Sequence, residues 1–292
     1  MALKKLADND VLGNKASHFF KSGNIMRAKE NENLYKLRSL LPETGNFGVR
    51  LEYDIWFDAD HPEIYGYVYT DAMSKFIYLR VASKKKSIHS MQVAAREKIT
   101  EEGEKIFQEL RDNSCDKYRL RKKKLNYPFV IFLPGTNILN KVVDIDKVKR
   151  AVAQGAVLKC HPLTAHGMVA NLKYQFGDEK ILDKKISGQQ LLEEASIVGC
   201  CTNSEMGLIA LAKGKTVYLF DKKKCDKMQT YEPLYKAVWN GTDYPDPNRL
   251  KSLLSAKYSG LVPYFIDNPQ ERIAHFFTFW KGTNHAVPDI RK

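Results

Sequence analysis

A regular alternation of strand-like and helix-like segments between residues 127 and 220 is the feature that most constrains this fold. It opens on the continuous apolar stretch 127–135, which is typical of a strand buried in a parallel sheet. The later segments predict strands at 156–161, 180–182, 196–200 and 216–220, and helices at 144–154, 168–176, 188–195 and 204–213. The order predicts a doubly wound α/β domain, in which ligands bind beyond the carboxyl ends of the strands.

The residues before this alternation predict a separate domain. Leucines at helical spacing indicate helices within 1–45, and alternating apolar residues predict one strand over 47–57. Two further strands and a charged helix are predicted at 65–70, 75–81 and 90–112. We place the boundary after the basic run 118–125, which gives domains over 1–125 and 126–292. Two helices are predicted in the tail, at 248–255 and 269–280, and the aromatic residues of the second are expected in a core.

Composition limits the class of protein. The chain has 292 residues and 43% hydrophobic residues, which suits two globular domains. No apolar run approaches the roughly 18–20 residues that cross a bilayer. The first residues lack the apolar core of a secretory signal, and the five cysteines show neither a disulfide framework nor zinc-site spacing. We therefore expect a cytoplasmic monomer with reduced cysteines, or a protein of the host cytoplasm if it is of phage origin.

The formal net charge is +13, and the excess of basic residues is spread over both halves of the chain. Such a charge attracts polyanions and predicts salt-dependent binding to nucleic acid. The alternative is a solvated lysine surface. The candidate DNA-binding residues come from two basic clusters: Lys84, Lys85, Lys86, Arg121, Lys122 and Lys123.

Polar residues follow the predicted strands where a nucleotide would bind. Cations after one strand and hydroxyl, amide and carboxylate groups after another could hold a diphosphate and a ribose. The candidate nucleotide-binding residues are Gly135, Lys159, His161, Pro162, Thr202, Asn203, Ser204 and Glu205. The alternative for the last four is a helix cap, and for His161 a hydrogen bond to a neighbouring loop. Neither a Walker loop nor a G-x-G-x-x-G motif occurs.

An acidic cluster follows the alternating stretch of the first domain and includes Asp58 and Asp60. A carboxylate at a strand end can act as a general base that deprotonates a hydroxyl nucleophile. The D-x-D spacing is also typical of transferase sites that hold Mn²⁺ or Mg²⁺ with a nucleotide diphosphate, but here it lies in the wrong domain for that role, and we assign no metal-binding residues. A solvated turn with aspartate caps is the third interpretation.

About 90 residues of the chain, roughly 130–220, resemble the C-terminal half of nucleotide-sugar glycosyltransferases with two Rossmann-like domains, the GT-B type. The resemblance lies in Leu158–Pro162, which matches the family's K-x-H-P element, and in Ala195–Glu205 and Ala210–Val217, which match its second element. Asn203 and Ser204 stand where the family has a serine pair, and Thr216 replaces a common proline.

The resemblance implies an α/β fold of two Rossmann-like domains, the N-terminal one small or degenerate, with a C-terminal helix that crosses back. It implies that residues 126–292 bind a UDP-sugar, through His161 and the turn Thr202–Glu205, and that 1–125 bind the acceptor. Asp58 or Asp60 would then deprotonate the acceptor hydroxyl. No cofactor is required by this scheme, and a divalent metal is possible.

The charge and the lack of an anchor resemble those of bacteriophage DNA glycosyltransferases, which glycosylate hydroxymethylcytosine in duplex DNA. Such an enzyme must expose the modified base while basic residues hold phosphates. A capsule or wall-polymer glycosyltransferase and a non-catalytic nucleic-acid-binding protein are the alternatives. The sequence itself carries no motif for the acceptor.

Overall fold

The computed structural model describes residues 47–50, 55–58, 65–73, 75–114, 120, 125–223, 225 and 228–283. The chain divides into two compact units. Of the described residues, unit 1 holds those within 47–107 and 248–283, and unit 2 holds those within 108–247. The boundary between residues 107 and 108 lies earlier in the chain than the expected boundary after residue 125. The tail from residue 248 belongs to unit 1, whereas the sequence predicts it in the second domain.

The described residues form strands and α-helices that we number in chain order. The strands are β1 Phe47–Arg50, β2 Ile55–Asp58, β3 Tyr65–Ala72, β4 Phe76–Val81, β5 Phe129–Phe132, β6 Val157–Lys159, β7 Ile181–Leu182, β8 Ile197–Cys200, β9 Thr216–Leu219 and β10 Leu261–Pro263. The helices are α1 Lys84–Ala94, α2 Glu101–Asn113, α3 Thr136–Val142, α4 Ile145–Ala153, α5 His166–Phe176, α6 Gly188–Glu194, α7 Met206–Ala212, α8 Glu232–Trp239, α9 Pro247–Ser255 and α10 Pro269–Thr283. The α/β class predicted from the sequence is confirmed.

Unit 1 is built on an antiparallel sheet with the order β1-β2-β3-β4-β10. The prediction of one strand over 47–57 was wrong, because β1 and β2 pair with each other with Phe47 opposite Asp58. The two strands at 65–70 and 75–81 are confirmed as β3 and β4. The resemblance implied a Rossmann-like N-terminal domain that is small or degenerate, and the sheet of unit 1 is antiparallel, unlike the parallel sheet of a complete Rossmann-like domain.

One face of this sheet packs against α10. Trp56 on β2 lies edge-on to Phe276 and Phe277, and Trp280 joins the same buried cluster. Gly66 on β3 is required by this packing, because a Cβ there would overlap the Trp56 ring and a backbone carbonyl. The expectation that the aromatic residues of the tail are core residues is therefore confirmed.

The charged helix predicted over 90–112 is in fact two helices, α1 and α2. The chain leaves the helical conformation between Ala94 and Glu101, and Thr100 donates its N–H to Ser255 Oγ at 3.0 Å. The side chain of Arg272, on α10, is 1% exposed and donates to Glu102 Oε1 at 2.8 Å and to the Leu254 carbonyl at 2.7 Å. These bonds tie the C-terminal helix to α2 and α9 within unit 1.

Unit 2 contains a parallel sheet with the order β7-β6-β5-β8-β9. The chain starts in the centre at β5, continues outward through β6 and β7, and then returns to the other side for β8 and β9. The strand order therefore reverses at β5 and β8, which is the position where ligands bind in open α/β sheets. The predicted alternation of strands and helices over 144–220 is confirmed.

Two helices of unit 2 were not predicted from the sequence. Helix α3 follows β5 directly, and α8 follows β9 after an irregular segment. In the parts of the chain that the structure describes, no helix has the length and apolar character needed to cross a membrane.

Candidate functional site

The carboxyl ends of β6, β5 and β8 lie side by side, because β5 pairs with both other strands. The predicted nucleotide-binding residues stand at or just beyond these three ends. His161 follows β6, Gly135 follows β5, and Thr202 follows β8. With a spacing of about 4.8 Å between strands, the loops after β6 and β8 are separated by about 10 Å. A diphosphate or a nucleotide can span this distance over the end of β5.

The loops after β5 and β6 contact each other directly. A Cβ built on Gly135 would lie 3.9 Å from His161 Nδ1, an ordinary van der Waals distance, so the two residues are direct neighbours. Thr136 Oγ1 accepts a hydrogen bond from the backbone N–H of Ala165 at 2.7 Å. This bond caps α5, whose own N-cap residue, Ala165, supplies no side-chain acceptor. The structure thus brings Gly135 and His161 together at one edge of the sheet.

The ring of His161 is oriented by its own loop. Its Nδ1 accepts a hydrogen bond from the Leu163 N–H at 3.1 Å, and its carbonyl accepts from the Thr164 N–H at 2.9 Å. Because Nδ1 is the acceptor, the ring proton of the neutral imidazole is on Nε2. His161 is half-buried, as is Pro162. Nε2–H is therefore the donor group of the neutral His161 ring.

Lys159 lies deeper than the sequence suggests. It is the last residue of β6, and it is only 3% exposed. Its Nζ donates to the carbonyls of Cys160 at 2.8 Å and Lys184 at 3.0 Å. Lys184 in turn donates to the Thr164 carbonyl at 2.8 Å. The two ammonium groups therefore support the backbone of the loops after β6 and β7.

Thr202 is fixed by Asp221, a residue that the sequence reasoning missed. The carboxylate accepts from the Thr202 N–H at 3.1 Å and from its hydroxyl at 2.8 Å. Asp221 stands just beyond β9, and β9 pairs with β8. A polar residue directly after a strand of the parallel sheet was therefore the signal that could have identified it. Both donors of Thr202 are used within the protein.

Two tyrosines near α8 hold the rest of the turn. Tyr231 Oη donates to Glu205 Oε2 at 3.2 Å, and Tyr235 Oη donates to the Ser204 carbonyl at 2.9 Å. Ser204 Oγ accepts from the Met206 N–H at 3.2 Å, so this hydroxyl caps α7. Asn203 lies half-buried in the same turn, and its Oδ1 is a buried atom without a hydrogen-bond partner. The turn Thr202–Glu205 is therefore held in one conformation, and the amide of Asn203 is the group whose bonding is incomplete.

Burial governs the titration of the groups beneath this turn. It raises the pKa of the Asp221 carboxyl, although the two bonds from Thr202 act in the opposite direction. It also raises the pKa of the Cys200 thiol to about 12 and that of Cys201 above its ordinary range. Both cysteines are thus protonated thiols at neutral pH, which are weak nucleophiles. They serve as buried packing groups beside the site.

The other predicted site residues lie in unit 1 or outside the described part of the chain. Asp58 is the last residue of β2, and Lys84, Lys85 and Lys86 form the first turn of α1. Asp60, Arg121, Lys122 and Lys123 fall outside the described residues. Within the described ranges, no group of three or more His, Cys, Asp or Glu residues could hold a metal ion. The roles of all these residues stay predictions.

The fold of the chain is similar to that of solved structures. No protein-family model matches the chain, and no curated protein matches it. Among solved structures, the chain is similar to the KpsC beta Kdo 2,7 transferase of Thermosulfurimonas dismutans. The identity is 13%, the match covers 74% of this chain and 78% of that chain, and the TM-score is 0.42. A similarity of this extent carries no conclusion about the activity of the chain.

Proposed function

We propose that this protein is a glycosyltransferase that binds a nucleotide-sugar in unit 2 and transfers the sugar to an anionic acceptor. The observation that carries the proposal is the convergence of His161, Gly135 and the turn Thr202–Glu205 on the ends of three adjacent parallel strands. This is the reversal point of the strand order, where open α/β sheets bind nucleotides.

We propose a part for each group of the donor site. Gly135 allows the backbone after β5 to approach a phosphate closely. His161 donates from Nε2 to a phosphate oxygen, because its Nδ1 is occupied by the Leu163 N–H. Glu205 is a carboxylate suited to accept from ribose hydroxyls. Asn203 Oδ1, which has no hydrogen-bond partner among the described residues, accepts a hydrogen bond from the same ligand.

The proposed reaction follows from these parts. A carboxylate, Asp58 in our proposal and Asp60 as the alternative, takes the proton of the acceptor hydroxyl. The hydroxyl oxygen forms a bond to the anomeric carbon of the sugar, and the bond from that carbon to the phosphate oxygen breaks. Negative charge then develops on the leaving nucleotide diphosphate. Donors fixed before the reaction, such as His161 Nε2–H, stabilise this charge in the transition state.

We further propose hydroxymethylated duplex DNA as the acceptor, on the basis of charge. The net charge of +13 favours a polyanion, and three lysines stand together in the first turn of α1. A capsule or wall polymer is a second anionic acceptor, and we keep it as an arm of the test. The net charge alone does not separate the two.

The test is a transfer assay with radiolabelled UDP-sugars and three acceptors. The acceptors are duplex DNA with 5-hydroxymethylcytosine, the same duplex with cytosine, and an anionic capsule oligosaccharide. We expect label in the hydroxymethylated duplex and none in plain DNA. Label in the oligosaccharide alone would replace the DNA assignment with the polymer one. Salt-sensitive DNA binding with neither transfer nor hydrolysis of any donor would contradict the glycosyltransferase proposal.

A further inference from the structure

Three tyrosines form a row on one face of the sheet in unit 1. Tyr65, Tyr67 and Tyr69 alternate along β3 with Gly66 and Val68, so the three rings share a face. Val68 belongs to the core cluster beneath α10, and Gly66 lies against Trp56 in that cluster. The tyrosine row is therefore on the face of the sheet opposite α10, and on β4 this face carries the buried residues Tyr78 and Arg80. We call these three residues the tyrosine row.

The row contains a guanidinium group between its rings. Arg80 on β4 pairs directly with Tyr67. Its guanidinium carbon lies 4.5 Å from the centre of the Tyr67 ring and 5.7 Å from that of Tyr69. Its Nη2 donates to Tyr69 Oη at 3.1 Å. These contacts place a positive charge against the aromatic faces and fix the rings of Tyr67 and Tyr69 in orientation.

The exposure of the row increases towards one end. Tyr78, opposite Tyr69, is fully buried, whereas Tyr67 and Tyr69 are half-buried. Tyr65 is 42% exposed, although it is a large aromatic residue within a strand. Its ring lies 6.4 Å from that of Tyr67 in an edge contact. The most exposed ring of the row is therefore that of Tyr65, at the N-terminal end of β3.

The lysine cluster of α1 is close to the exposed end of the row. The Ala82 N–H donates to the Tyr65 carbonyl at 3.0 Å, and α1 begins two residues later, at Lys84. Lys84, Lys85 and Lys86 fill the first turn of this helix, which contains no acidic residue. Cations at the positive end of a helix dipole are unfavourable for the isolated helix. Three basic residues therefore follow closely after Ala82, whose N–H bonds the Tyr65 carbonyl.

We propose that the tyrosine row and the adjoining lysines bind an unpaired strand of nucleic acid. One base stacks on the exposed ring of Tyr65 and the next on the part of the half-buried Tyr67 ring that Arg80 does not cover, and phosphates lie against Lys84–Lys86. The combination of aromatic rings and lysines is the one that binds single strands without sequence preference. Binding of a single strand does not depend on the proposed function. Only the view that this strand belongs to the acceptor rests on that function, and in that case a base leaves the duplex to be modified.

The spacing of the rings favours an unstacked strand over a duplex. Residues two apart on a strand are separated by about 6.6 Å, whereas stacked bases of a duplex follow one another every 3.4 Å or so. Neighbouring bases can rest on Tyr65 and Tyr67 only if they have separated from each other. A nucleic acid also carries a phosphate beside each base, which matches an exposed tyrosine with a lysine cluster next to it in the fold. We therefore prefer nucleic acid to an anionic polysaccharide.

The test measures fluorescence anisotropy of a labelled single-stranded oligodeoxynucleotide, of its duplex and of heparin. Tyr65→Ala and Tyr67→Ala should each weaken binding of the single strand by about fivefold or more, because one stacking contact is lost. Tyr65→Phe should retain the affinity, because it keeps the ring. The control is Tyr174→Ala on α5, since Tyr174 is 92% exposed and belongs to unit 2.

The outcomes separate this inference from the proposed function. A thermal melt of each variant first verifies that the sheet is folded. Equal binding of the single strand by Tyr65→Ala, Tyr67→Ala and wild type would overturn the inference, as would a loss that appears with heparin alone. Binding of nucleotide-sugar is measured on the same preparations. If no sugar nucleotide binds while the tyrosine variants lose the single strand, the proposed function fails and the inference stands.

Discussion

Asp221 holds Thr202 by two groups at once, the backbone N–H at 3.1 Å and the hydroxyl at 2.8 Å. The two residues follow neighbouring strands of the parallel sheet, β9 and β8. The carboxylate thereby fixes the first residue of the turn Thr202–Glu205, which we propose as part of the nucleotide-sugar site. A turn that is already ordered loses less conformational entropy when a ligand binds.

We predict that Asp221→Ala weakens nucleotide-sugar binding by about tenfold. The substitution leaves two buried donors of Thr202 without their acceptor, at a cost of about 1–3 kcal/mol, and the turn loses its fixed conformation. Calorimetric titration measures the affinity. The matched control is Asp183→Ala, because Asp183 also follows a strand of this sheet but is exposed. Equal losses in the two variants would contradict the role of Asp221.

The same carboxyl predicts a pH dependence of stability. Burial raises the pKa of Asp221 above its ordinary value of 3.8, so the folded protein binds this proton more tightly than the unfolded chain does. The stabilisation is fully present below pH 3.8 and is lost as the pH rises through the raised pKa. Asn at this position does not titrate. The free energy of unfolding of Asp221→Asn should therefore increase relative to that of wild type as the pH rises.

Urea unfolding of both proteins over a pH series, from about pH 4 upwards, measures this difference. A difference that stays constant across the series would show that Asp221 does not titrate abnormally.

Arg272 should be a major contributor to the stability of unit 1. Its buried guanidinium bonds Glu102 and the Leu254 carbonyl, so Arg272→Ala removes packing and leaves buried acceptors unpaired. We expect a loss of roughly 3 kcal/mol in the free energy of unfolding. Glu102→Gln should cost about 1 kcal/mol or less, because Glu102 is partly exposed and the amide oxygen still accepts. Thermal and urea unfolding measure both, and a larger loss for Glu102→Gln would be inconsistent with this account.

Asp58→Ala should lower turnover by about 100-fold while leaving donor affinity unchanged, because a general base acts on the acceptor and not on the nucleotide. The measurements are the initial rate of transfer and the calorimetric affinity for the donor. Asp267→Asn provides the control, since Asp267 is an exposed carboxylate of unit 1. Full turnover in Asp58→Ala would transfer the assignment to Asp60 or to another residue.

The parallel sheet of unit 2 could be predicted from the sequence because each strand is a short apolar run with a loop signal after it. The position of His161 and of the turn Thr202–Glu205 followed from the same pattern. The contacts that hold the turn could not be predicted, because Tyr231 and Tyr235 lie about 30 residues further along the chain and bond it only in the folded state. The depth of Lys159 was also missed, since a lysine at a strand end is usually solvated.

Unit 1 was less predictable for a reason of topology. Its sheet takes β10 from the tail, and this strand of three residues pairs with β4 from nearly 190 residues earlier. Such a short segment carries no periodic signal of its own. The sequence predicts two helices in the tail and no strand between them. This strand forms only through its pairing with β4, which places Leu261 opposite Tyr78.

The central claim is that unit 2 binds a nucleotide-sugar at the ends of β6, β5 and β8. The most direct measurement is calorimetric titration of UDP-, GDP- and CMP-sugars into wild type, His161→Ala, Glu205→Ala and His166→Ala. We predict that one of these donors binds wild type and His166→Ala equally, because His166 is exposed on α5, and binds the other two variants at least tenfold more weakly. Binding of no donor, or equal binding by all four proteins, would contradict the claim.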